Sequence, residues 1–254
     1  MRIAFFYTWM LIMMNISTPS NANMDCIRLS QGILYAARTG ESTIKFKEAL
    51  ATFSFDNLLQ QLNTDDKRIA FWLNIYNAFT QIGLSENPAW YESRNKFYKR
   101  KFIRIAGKDL SLDVIEHGII RKSKIKLSMG YLSKCFPSNT EKKLRVDKLD
   151  NRIHFALNCG AKSCPPIAFY KPEQLNKQLD LATGAYLKVE VFFNQKKNTV
   201  DLPKIFSWFR GDFGGKKGII KLLQQKNIIP ADAKPTIMWK EYDWTLALKN
   251  YEDF

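Results

Sequence analysis

The stretch TDDKRIAFWLNIYNAFTQIGL, residues 64–84, decides the fold. Thr64 or Asp65 suits the cap of a helix, because a short side-chain oxygen there accepts the N–H groups that the first turn leaves free. Ile69, Leu73, Tyr76, Phe79 or Thr80, and Gly83 then recur along one helical stripe. Phe71, Trp72, Ile75 and Ala78 make the other sides apolar as well. A helix apolar nearly all round belongs at the centre of a protein. Asn74 and Asn77 then become buried amides, which must find partners. They either bond a neighbouring loop or orient a catalytic or substrate group, and both are kept as candidate substrate-binding residues.

Working outward, residues 25–62 read as amphipathic helices with a turn near ARTGES. FIRIAG (102–107) reads as a short strand, and the following segment as a helix capped by Ser111, with Leu112, Ile115 and Ile119 buried. RIHFALNC (152–159) alternates and is largely apolar, which predicts a strand ended by Gly160. A helix started by Pro172, a hairpin made of EVFFN (190–194) and NTVDLP (198–203), and a helix over 214–227 complete the chain. Helices come first and strands later, without βαβ alternation, so the expected class is α+β. One domain is expected over 23–254: N-terminal helices, with the central helix packed on a small, mostly antiparallel sheet.

Residues 1–22 are read separately. Arg2, an apolar run from Ile3 to Ile16 and a Ser-Asn-Ala end have the form of a secretory signal peptide, so export to the periplasm or beyond is expected. The net charge of +15 is unevenly placed: residues 94–108 hold seven basic residues and no acid, and residues 121–126 add four. Such a face attracts anionic lipid or polysaccharide. Nucleic acid is disfavoured, because export removes the usual opportunity and no recognition motif occurs. The chain has no Walker loop, Rossmann glycine set or Ser-x-Gly elbow, so nucleotide and lipase readings lack support.

HFALNCGAKSCP (154–165) gathers one of two histidines and two of four cysteines. Neither spacing nor histidines complete a zinc set, so no metal and no cofactor are expected. Three readings of the cysteines stay open: a Cys159–Cys164 disulfide (with Cys26–Cys135 elsewhere), a thiol nucleophile, or buried thiols. As nucleophile, Cys159 stands at a strand end before a glycine turn, where the N–H groups of Gly160, Ala161 and Lys162 could hold an oxyanion. Lys162 would also favour the thiolate. Cys164, before Pro165-Pro166, is the competing thiol. His117 is the preferred base, since a thiol is activated by a neighbouring imidazole. Glu116 beside it points about 100° away on a helix and is a poor orienter. His154, expected on the strand face opposite Cys159, is taken as structural or substrate-binding, and Trp208 and Arg210 as walls of a groove.

AFWLNIYNAFT (70–80), IEHGIIR (115–121), IHFALNCGAKSCPP (153–166), IFSWFRGDF (205–213) and YDWTL (242–246) together resemble the DUF547 family, in the expected order. Thr245 and Ala247 depart from the closing Tyr-Asp-Trp-Ser-Leu-Asn usual there. The resemblance implies a distant likeness to papain-like and transglutaminase-like thiol hydrolases. The leading expectation is therefore an exported thiol hydrolase or acyl transferase acting on a peptide or small amide. The alternative is a non-catalytic, disulfide-stabilised module whose basic face, residues 94–126, binds anionic lipid or polysaccharide.

Overall fold

A computed structural model describes residues 24–253. The expected signal peptide, residues 1–22, lies outside the described residues. Helix α1 (Cys26–Thr39) is capped by Asp25 and closed by Gly40, which adopts the left-handed conformation at φ 80°. It is followed by α2 (Ile44–Thr52), α3 (Phe55–Gln61) and α4 (Asp65–Glu86). Thr64 caps α4 by accepting from the Lys67 N–H at 3.3 Å, with Asp65 and Asp66 favourably placed in the first turn. Every residue of α4 from Ile69 to Leu84 is buried, so the all-round apolar pattern has its expected cause.

The α+β class stands, but α4 packs on α1, on a π-helical turn at Val114–Ile120 and on α7 (Leu175–Glu190), not on a sheet. Strands are few. Beyond the short helix α5 (Arg94–Lys99), β1 (Ile103–Ile105) and β2 (Lys108–Leu110) form a hairpin turned by Ala106 and Gly107, both at positive φ. The six-residue α6 (Asn139–Leu144) precedes α7. The hairpin expected downstream is present as β3 (Phe192–Asn194) and β4 (Thr199–Leu202), but β5 (Thr236–Trp239) joins β4 in parallel. That sheet is therefore mixed. With α8 (Lys204–Trp208) and α9 (Gly215–Gln225) it builds a second apolar cluster around Phe155, Phe206 and Val200.

The strand expected at 152–159 is the main correction. Asp150 caps a 3-10 turn, Asn151–Phe155, by accepting from the Arg152 N–H at 2.9 Å, and extended chain follows. Ile153 and Ala156 enter the α4 core while Phe155 enters the second cluster, so the segment runs along the seam between two cores. Apolar neighbours on both sides produced the alternation without a sheet.

Candidate functional site

At that seam opens a cleft of about 770 Å³. Its lining includes Cys159, Cys164, His117, Glu116, His154 and Trp208, residues the sequence singled out from separate segments. Four others lie outside it. Asn74 donates to Tyr170 O (2.9 Å) and accepts from Tyr170 N–H (3.0 Å). Asn77 donates to Ala156 O and accepts from Asn158 N–H, both at 2.9 Å. Both are loop clamps and neither lines the cleft. Arg210 lies over the Trp239 ring, and exposed Lys162 stands 3.5 Å from Asp243 instead of attending a thiol.

Cys159 and Cys164 form a disulfide, while Cys26 is free and buried and Cys135 free and exposed. Of the three readings the first holds for the 159–164 pair, and the expected Cys26–Cys135 bond is absent. Buried Asn158 organises the loop: its side chain accepts from Gly160 N–H at 2.9 Å and donates to Pro165 O at 2.8 Å. Lys162 N–H is also consumed, by Thr245 O at 2.8 Å. Two of the three amides expected to be free, Gly160 and Lys162, are thus already bonded and form no oxyanion site. Cys159 N–H instead donates to Cys164 Sγ at 3.0 Å, and the Tyr242 hydroxyl lies 3.3 and 3.2 Å from the two sulfurs. Burial raises the Tyr242 pKa, which keeps its proton in place. Cys159 is half-buried and Cys164 buried, so the first sulfur is the approachable one.

Below the sulfurs runs a buried polar chain that links both histidines. Arg121, counted in the sequence as part of the basic face, is fully buried. It donates from Nη1 to His117 Nδ1 at 2.7 Å and from Nε to Asp212 Oδ2 at 2.6 Å. Asp212 Oδ2 also meets His154 Nε2 at 2.9 Å. Phe209 covers the chain, stacked on His154 at 4.0 Å and under Arg121 at 4.5 Å. Burial alone would raise the Asp212 carboxyl, but hydrogen bonds from His154 and Arg121 outweigh it and hold the pKa low. His117 is pushed down to about 3, by burial first and then by the Arg121 charge, so its imidazole is neutral.

These contacts fix both tautomers. A guanidinium only donates, so His117 Nδ1 is the acceptor and its proton sits on Nε2, 3.7 Å from Asp113 Oδ1. His117 therefore shows an N–H where a base needs a lone pair, which contradicts its expected role. Glu116, expected to point away, comes within 3.6 Å of His117 Nδ1 and accepts from the Tyr76 hydroxyl at 3.1 Å. The π-helical turn changes its register: Arg121 N–H bonds Glu116 O across five residues. His154 is wired the other way. The Asp212 carboxylate holds Nε2–H, and Nδ1, buried, has no partner among the described residues.

The outer wall is aromatic. Trp208, Tyr242 and Trp244 lie within 4.6–5.5 Å of one another, with the Arg94 guanidinium 4.8 Å above Trp244. The Tyr98 hydroxyl holds Cys159 O at 2.7 Å. Sequence reasoning missed Arg121, Tyr98, Tyr242 and Asn158. Arg121, Asn158, Asp212 and Tyr242 all lay inside quoted motifs, but only their contacts reveal their parts.

Compared with models of protein families, residues 59–187, about half of the chain, match the one described as "Protein of unknown function, DUF547". No curated protein and no solved structure matches.

Proposed function

The chain belongs to the DUF547 family, and from that premise we propose that its cleft is the site of a thiol-dependent hydrolase or acyl transferase that works once the Cys159–Cys164 disulfide is opened. One observation carries the reading: Cys159, half-buried, and His154, held by a carboxylate with its buried Nδ1 unpartnered among the described residues, both line the same cleft. The disulfide is the resting form, as suits an exported protein in an oxidising compartment. An external dithiol exchanges with it, giving two cysteine thiols and its own disulfide.

The Cys159 thiol then passes its proton to His154 Nδ1 as its sulfur attacks an amide carbonyl carbon. The S–C bond forms, the C–N bond breaks, and the amine leaves with that proton. Water or a second amine displaces the sulfur, releasing acid or new amide and restoring the thiol. Asp212 holds His154 in the working tautomer, as carboxylates do for catalytic imidazoles. Tyr242, kept protonated, takes the donor role that the amides of Gly160 and Lys162 cannot fill. The aromatic wall suits a peptide or small amide with an apolar group.

The test is acylation by p-nitrophenyl acetate, followed by peptide mass mapping. After dithiol reduction, Cys159 is expected to acetylate far faster than exposed Cys135, and His154→Gln to slow this about 100-fold. The oxidised protein should stay unmodified at Cys159. Acetylation of Cys159 no faster than Cys135, or indifferent to His154→Gln, would refute the assignment.

A further inference from the structure

Leu127 and Met129 line the cleft, and the segment that carries them exposes large apolar side chains in a short span: Leu127 is 91 %, Leu132 61 % and Phe136 96 % exposed, with Tyr131 and Met129 also in solvent. A patch of this kind on a soluble surface marks an interaction site. The loop beneath it is closed on itself. Lys124 and Ser133 pair, Ile125 N–H bonds Leu132 O at 2.9 Å, and Tyr131 N–H bonds Ser128 O at 3.0 Å. The Ser128 hydroxyl donates to Ile125 O at 2.8 Å and accepts from Leu132 N–H at 3.1 Å. Met129 O is anchored by Gly211 N–H at 2.7 Å. Much of the tip's backbone is thus bonded within the protein, the condition for entering a medium that offers no hydrogen bonds.

Across the mouth lies α5, and Lys126 of the loop reaches the Tyr98 ring at 5.6 Å. Arg104 and Lys126 answer Asp109 and Asp113, each at 2.8 Å. Arg94, Lys96, Lys99, Arg100 and Lys101 form no ion pair among the described residues. One lip of the cleft is therefore apolar and the other cationic.

The geometry points to docking of the cleft mouth on an anionic lipid bilayer, with Leu127, Leu132 and Phe136 entering the headgroup–acyl boundary while the 94–101 lip lies on the headgroups. Apolar insertion and basic attraction are the two signals that together hold a peripheral protein at a membrane. A second copy fits less well, because pairing two mouths would oppose two cationic lips. This inference stands apart from the acyl chemistry and needs no reduced cysteine.

Cys135, exposed beside Phe136, is a built-in reporter. Cys26 is buried with its thiol pushed up to about 12, and the other two cysteines are bonded. Alkylation of Cys135 by a charged maleimide is followed in the full chain with phosphatidylglycerol–phosphatidylcholine vesicles. Any affinity of residues 1–22 is common to all variants. Anionic vesicles are expected to slow alkylation at least tenfold, with weaker protection by phosphatidylcholine alone and in high salt. Leu127→Asp and Phe136→Asp should each lower vesicle partition about tenfold. An unchanged Cys135 rate, full partition of both variants, equal protection by soluble heparin, or protection by protein concentration alone would overturn the proposal.

Discussion

Stability in mild acid should fall because both histidines are buried as neutral rings. Burial lowers the pKa of each in the folded state, with Arg121 adding to the effect. The unfolded chain therefore binds protons first as pH drops below about 6.5, so stability is full above that value and falls towards the folded pKa. With a folded value of about 3, His117 alone loses roughly 3 kcal/mol between pH 7 and 4.5. His154 acts in the same direction. The carboxyls held low by partners, Asp180 and Asp212 among them, contribute only when pH falls further, through their own depressed values. Urea unfolding followed by tryptophan fluorescence at the two pH values measures the loss. His117→Gln keeps an acceptor for Arg121 but cannot titrate, and should remove about 3 kcal/mol of the difference. Equal stability at both pH values, or an undiminished loss in His117→Gln, would refute the reasoning.

Three further variants test the same network and loop. Asp212→Asn should cost about 3–5 kcal/mol by leaving the Arg121 charge buried and unpaired, lowering Tm by roughly 10 °C. Arg121→Met combined with Asp212→Leu should recover part of that loss in a double-mutant cycle, whereas additive losses would deny the pairing. Asn77→Ala should cost roughly 2–4 kcal/mol, because it strands Ala156 C=O and Asn158 N–H in the interior. Its disulfide should also open faster in dithiothreitol, as followed by thiol release, and an unchanged opening rate would show that Asn77 does not brace the cysteine loop.

The central helix was legible because its apolar residues occupy every face and Thr64 supplies a local cap; both signals lie within a few residues. The 192–202 hairpin was legible for the same reason. The 152–159 segment misled because its pattern reports burial, and a chain between two cores is buried on both sides whatever its backbone does. The parallel partner β5 gave no local sign. At the candidate site, the scarcity of histidine and the cysteine cluster picked out residues that line one cleft. The assignment of roles was not legible. Arg121 reads as one more charge in a basic run, and only its contact with Asp212, 91 positions away, shows it buried. Which imidazole has its lone pair occupied depends on the contacts of this pair with His117 and His154.

The cleft's last wall comes from far along the chain. Tyr242 reaches the sulfurs, and Trp244 the cleft wall, because Ala161 pairs with Leu246 and Ala247 N–H bonds Gly160 O at 2.8 Å. During synthesis, the cysteine loop emerges some 80 residues before the segment that shelters it. Until then both thiols stand open to any oxidant or partner thiol, including Cys135. Correct pairing is thus a matter of timing: slow synthesis or a truncated product exposes the loop to mispairing, and the arrival of residues 242–247 ends that interval.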